Sequence, residues 1–175
     1  MNTLSIVFSV LGTICICTPP LLKGKDMKLI LLLVFGANVF MALSYTLTGA
    51  FNGVVSCSVG AVQTIINYFF ERKNKPLPIW LIVTYAVVFA VVNVLAFAKI
   101  TDIFALLACL AFVMSIGQKT GKQYRVWTLT NAVFWVAYDF TSFSFGPFAT
   151  HLLQLGIAVF GMLLHDRKKE KTEVV

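Results

Sequence analysis

Apolar positions run through this chain in long uncharged blocks, and short polar or charged intervals separate one block from the next. A helix needs about 20 predominantly apolar residues to cross a bilayer core. Measured against that length, the blocks predict seven spans: Leu4 to Leu22, Met27 to Leu47, Gly53 to Phe70, Leu77 to Ala98, Asp102 to Gly117, Gln123 to Ser142 and Pro147 to His165. The fifth is the shortest. Pro19 and Pro20 must distort the end of the first span, because neither has a backbone donor. Pro147 suits the first turn of the seventh, where a missing donor costs nothing.

Polar markers inside the blocks recur. Asn38, Tyr45, Thr48 and Gly53 return 93 positions later as Asn131, Tyr138, Thr141 and Gly146. The charged end Glu71-Arg72-Lys73 returns as Asp166-Arg167-Lys168, about two residues further along. The spacing of these markers carries the repeat, since the apolar positions between them would match by composition. The expected fold is therefore an all-α integral membrane protein in a 3+1+3 order. Residues 1–75 form one three-helix bundle, 76–100 a linking span, 101–167 a second bundle and 168–175 a basic tail. The second unit begins four crossings after the first, so both enter the membrane in the same sense. Such parallel repeats, related by an axis along the membrane normal, occur among small-solute transporters.

Composition agrees with a membrane class: 59% of residues are hydrophobic and 12% charged, with a mean hydropathy of +0.88. A soluble domain averages about 25% charged residues. The net charge of +7 would suit nucleic acid, but the charges stand in four short clusters between long uncharged spans. With seven spans, 13 of the 14 basic residues fall on one side, and Lys99 alone on the other. Cytoplasmic loops collect lysine and arginine. The expected orientation is N-terminus outside and C-terminus in the cytoplasm, with the lipid bilayer rather than nucleic acid as the partner. Met1-Asn2-Thr3 carries no positive charge ahead of the first apolar run, so the start reads as a transmembrane helix rather than a signal peptide. The tail, with Glu170 and Glu173 among lysines, reads as solvated or lying on anionic headgroups.

Asn38 and Asn131 fall near the middle of spans two and six, and Gln63 and Gln154 near the middle of spans three and seven. An unpaired amide in hydrocarbon costs several kcal/mol, so these side chains should face the interior. They serve either as interhelical glue, averaging about 0.6 kcal/mol per hydrogen bond, or as a paired solute-binding site at the midplane. Tyr45 and Tyr138 lie towards the outer ends of their spans, as interfacial anchors or as a gate over the site. Trp135 is placed to stack on a ring-shaped solute, whereas Trp80 and Trp127 read as interface residues. Asp139 and His151 are ionisable groups in apolar spans, which marks a functional position by default. A histidine beside a carboxylate can carry a proton, its unperturbed pKa being about 6.5; the plainer alternative is that both sit shallow and reach headgroup water. No cofactor or metal is expected. Cys15 and Cys17 do not share a helix face and have no histidine or carboxylate nearby. The motifs G-x-x-x-x-G-K-[ST], H-E-x-x-H and G-x-S-x-G are lacking, so no enzyme is expected.

In its span order, outside start and parallel repeat, the chain resembles the SWEET sugar transporters. Asn131, Trp135 and Tyr138 look like the asparagine-to-W-x-x-Y pattern those proteins carry on a core helix; the first copy keeps Asn38 and Tyr45 with Ala42 in place of the tryptophan. SWEET proteins also carry hinge prolines on several core helices, and spans two, five and six here have none. Over nearly its full length, and most plainly from Asp102 to Lys168 with Gly117, Lys119, Gly121 and Trp135, the layout resembles the YgjV family of bacterial inner-membrane proteins, in the same superfamily. The resemblance implies two three-helix bundles around a central path that opens alternately to each side. The function expected is a facilitator for an uncharged polar solute such as a sugar, nucleoside or vitamin precursor, bound by Asn38, Asn131, Gln63, Gln154 and Trp135 and gated by Tyr45 and Tyr138; Asp139 and His151 are the candidates for proton coupling should there be any. The alternative is a non-transporting membrane protein that binds a partner. Assembly as a homo-oligomer is compatible with either.

Overall fold

A computed structural model describes residues 3–22, 27–118 and 120–165. Seven α-helices and two 3-10 turns make up the described residues, with no strand among them. The helices are α1 (Thr3–Cys17), α2 (Met27–Thr48), α3 (Phe51–Arg72), α4 (Ile79–Leu95), α5 (Ile103–Ile116), α6 (Gly121–Thr141) and α7 (Phe145–His165). Each lies within a few residues of an expected span. The largest departure is α1, which ends at Cys17 because Pro19 and Pro20 carry a 3-10 turn, Pro19–Leu21, in place of further α-helix. α7 starts two residues ahead of Pro147, which still falls in the first turn. The basic residues Lys23, Lys25, Lys119, Arg167, Lys168, Lys169 and Lys171, with the tail, lie outside the described residues.

Length and composition make four of the helices long and apolar enough to cross a membrane: Thr3–Leu21 with its 3-10 turn, Met27–Thr48, Phe51–Arg72 and Phe145–Leu164. α4 and α5 are apolar but shorter. α6 is 21 residues long, yet it carries Lys122, Arg125, Asn131 and Asp139. Three of those four are buried, so its polarity faces protein.

Apolar side chains cover the outside of the molecule as well as filling its core. Leu4, Val7, Leu11 and Ile14 of α1, and Ile79, Val83, Val87, Val91 and Val94 of α4, stand exposed, while serines, threonines and amides are buried between helices. Ser5 and Ser9 of α1 both bond the Ser44 hydroxyl of α2, at 3.0 and 2.8 Å. Thr13 and Thr150 join α1 to α7 at 2.7 Å. Tyr85 of α4 donates to Asn67 of α3 at 3.1 Å. Small hydroxyl and amide contacts of this kind hold helices together where both lipid and protein are apolar.

α2 packs between α1 and α3, and α6 between α5 and α7; the two groups meet along α1 with α7 and along α3 with α5, and α4 covers α5 and α3. The connections sort to two ends. Residues of the α2–α3, α4–α5 and α6–α7 turns, including Gly49, Lys99 and Phe143, line one cavity at one end of the molecule, the Lys99 end. The start of α2, the α3–α4 turn and the end of α5, including Met27, Lys75 and Gly117, line another at the Lys75 end.

Candidate functional site

Between the two groups of helices, midway along α2 and α6, lies a narrow cavity. Asn38, Asn131, Trp135, His151 and Gln154 line it, along with Ser56, the thiols Cys57 and Cys109, and apolar side chains. Five of the residues expected at a site thus meet at one place, from α2, α6 and α7. The space inside is about 40 Å³, room for about three waters. Ligand pockets for small molecules are roughly 300–1,000 Å³, so this arrangement is contracted around its centre.

The two matched asparagines use their amides differently. Asn38 Nδ2 donates to Val34 O, one turn back on its own helix, at 2.9 Å. Asn131 Nδ2 instead reaches across to Ala108 O of α5 at 2.7 Å. Asn38 Oδ1 lies so near Gly60 of α3 that a Cβ there would stand 2.7 Å from it. On α3, Gly60 thus lets α2 and α3 close up, and Ser56, one turn before it, faces the cavity. Gln154 is buried with its Oε1 unpartnered, a wall of the cavity that still has an acceptor to offer.

A layer of aromatic and ionisable groups closes the cavity towards the Lys99 end. Tyr45 and Asp139 are wholly buried and His151 is 7% exposed. The alternatives drawn from sequence, an interfacial anchor for Tyr45 and headgroup contact for Asp139 and His151, do not hold. The physical reason is mutual satisfaction. Tyr45 Oη donates to Asp139 Oδ1 at 2.8 Å, and His151 Nδ1 lies 2.6 Å from Asp139 Oδ2. Three helices, α2, α6 and α7, meet at that carboxyl. Trp135 lies over the group with His151 stacked on its face, ring centres 5.4 Å apart and planes within 12°. Tyr45 and Tyr138 approach the same indole at 6.2 and 5.6 Å. His151 thus covers one face of the Trp135 ring, while Trp135 also lines the central cavity. Tyr138 also lines the cavity of about 330 Å³ at the Lys99 end, so the aromatic layer stands between the two spaces.

Gln63 is the site candidate that the structure places elsewhere. It is buried at 1% exposure, but it does not line the central cavity, and neither amide atom has a partner. It sits on α3 between Ser56, which faces the centre, and Asn67, which lines the roughly 650 Å³ cavity at the Lys75 end. Its spacing of 91 from Gln154 rather than 93 puts it about half a turn from the position that the expected repeat would give it.

Sequence reasoning passed over Asn93 of α4. Its Nδ2 donates to Phe89 O at 2.9 Å and lies 3.7 Å from Cys109 Sγ, while its Oδ1 accepts from Ser56 at 3.5 Å. The available signal was an amide inside the otherwise apolar fourth span. Cys57 and Cys109 line the cavity as free thiols.

Comparison with curated proteins and with solved structures finds no match. The family model Imp-YgjV, described as bacterial inner membrane protein, matches residues 4–169. That match covers nearly the whole length, including every residue of the cavity and of the layer above it, and the chain belongs to this family of bacterial inner membrane proteins.

Proposed function

We propose that the protein is a small-solute membrane facilitator for an uncharged polar compound of the sugar, nucleoside or vitamin-precursor kind, and that it works by alternating access between two three-helix bundles. The observation that carries this reading is the contracted central cavity, lined by amides from α2, α6 and α7, with a larger cavity at each end of the molecule. A central polar site with separate openings is what alternating access requires. In this reading all seven helices cross the inner membrane, the Lys99 end faces outwards and the Lys75 end faces the cytoplasm. The packing supports a parallel repeat. A two-fold axis that exchanges α1–α3 with α5–α7 turns the α1–α7 contact into the α5–α3 contact, and both are present. The SWEET-like ancestry belongs to the same proposal.

A second reading has one observation in its favour. Asn38 and Asn131 both donate to backbone carbonyls, which is how amides act when they serve packing alone. The protein would then be a partner-binding membrane component without a transported solute.

Thermal unfolding of the purified protein against a panel of sugars, nucleosides and vitamins separates the two. A ligand at about 100 times its dissociation constant adds roughly 2.7 kcal/mol. The facilitator reading expects at least one stabilising compound whose effect is lost in Asn131→Ala, while that variant remains folded and inserted. It fails if uptake of such a compound is unchanged by Asn38→Ala combined with Asn131→Ala.

A further inference from the structure

The Tyr45–Asp139–His151 group holds two ionisable side chains that solute binding through amides does not use. Asp139 is 0% exposed, and both its oxygens are engaged, one by Tyr45 and the other by His151. The groups around it come from several helices. Cys57 of α3 and Tyr138 of α6 lie close enough to Tyr45 and Asp139 to interact with them electrostatically, and Cys109 of α5 stands beside Cys57. Asp102, ahead of α5, interacts with Tyr138. Lys99 is at the surface, its Nζ on Thr141 O at 3.1 Å. Among these, His151 is the group in contact with Asp139 that becomes positive by gaining a proton.

A lone carboxylate among apolar helices is far costlier than a neutral or paired one. The buried group is therefore stable only while Asp139 and His151 hold one proton between them in excess of carboxylate plus neutral imidazole, wherever along the 2.6 Å contact it rests. Tyr45 Oη donates to either form. If that proton leaves, a net negative charge remains, and water must reach it. His151 already lines the central cavity, so further water comes from the Lys99 end, and admitting it there means parting Tyr45, on α2, from Asp139 and His151, on α6 and α7, which also removes the layer between the cavity and that end.

We propose that Asp139 and His151 form a proton-binding site latched by Tyr45, and that loss of its proton opens the central cavity towards the Lys99 end. The inference rests on the facilitator reading and adds a second ligand to it, the proton. One proton passes from the pair to water; Tyr45 keeps its phenolic hydrogen and exchanges Asp139 for water as acceptor. The closed form thus binds one proton more than the open form, and passage of solute through it is linked to pH.

The native thiols supply the test, because Cys57 and Cys109 both line the central cavity. In proteoliposomes, with Cys15→Ser and Cys17→Ser as background, their labelling by a membrane-impermeant methanethiosulfonate is timed from about pH 5 to about pH 8, the range in which imidazole ordinarily changes charge. Each rate is divided by that of Asp139→Asn, which cancels the pH dependence of the thiol reaction itself. The expected ratio rises several-fold with pH. Tyr45→Phe, lacking the latch bond, should label faster than wild type at the acidic end and respond less to pH; this variant alone carries the test if Asp139→Asn does not fold. A ratio that stays flat, no labelling at any pH, or Tyr45→Phe behaving as wild type throughout overturns the proposal. The solute panel is a separate readout: stabilisation by a solute beside a flat pH response removes the proton site and leaves the facilitator.

Discussion

At the scale of single residues, the second tyrosine contact shows how tightly the layer is built. Tyr45 is pinned at its hydroxyl by Asp139 and at its ring by Gly53, where an added Cβ would stand 2.7 Å from both Cγ and Cδ2. Those atoms are the root of the ring and cannot swing aside like the tip of a long chain. Gly53→Ala is expected to destabilise the fold by about 1–3 kcal/mol, the usual cost of overpacking, and to lower the thermal unfolding midpoint. Gly53 was legible in the sequence as a repeat marker paired with Gly146. Its task was not, because spacing does not say which ring a glycine makes room for. Gly146 does the parallel job against a different side chain: a Cβ there would lie 2.9 Å from Ser9 Oγ of α1.

Among the elements, α7 offers a comparison within one helix. A Cβ on Gly161 would come within 2.6 Å of Pro20 O, a backbone atom of the 3-10 turn that ends the first span, whereas one on Gly156 would meet nothing within 4 Å. Gly161→Ala should therefore push the Pro19–Leu21 turn off α7 and cost about 1–3 kcal/mol. Gly156→Ala should be neutral or stabilising by up to about 1 kcal/mol, from helix propensity. Equal losses in the two variants, read by the same thermal unfolding, would remove close packing of the turn as the explanation. The turn itself was foreseeable from Pro19-Pro20, since two missing donors end an α-helix locally. Its seat on Gly161 was not, for it depends on a contact between the first and last helices. The same division runs through the site. Asn38, Asn131 and Gln154 announced themselves because an amide in a long apolar run has to face inwards. The hydrogen bonds joining Tyr45, Asp139 and His151 depend on how three helices turn towards one another, which hydropathy along one helix does not encode.

For the whole molecule, the number of crossings decides how the site relates to the membrane. Four helices pass a test of length and apolarity; α4 and α5 are short and α6 carries buried polar groups. If only α1, α2, α3 and α7 crossed, no crossing would separate Lys75 from Phe143, and both would face the same side. If all seven cross, α4, α5 and α6 lie between them, and they face opposite sides. The gathering of Lys99 with Phe143 at one end and of Lys75 with Gly117 at the other favours seven, since each intervening helix then runs from end to end of the bundle. Buried polarity in α6 is no obstacle when other helices, rather than lipid, surround it. In a variant with the four native cysteines replaced by alanine, Phe143→Cys should react with an impermeant thiol reagent added to intact cells. Lys75→Cys should react only after the membrane is opened. Both positions are exposed, so access rather than burial governs the result. Labelling of both from the same side would reduce the crossings and leave the central cavity without a path across the membrane. Labelling with the sides exchanged would keep the seven crossings but invert the orientation, so that the Tyr45 latch would open to the cytoplasm.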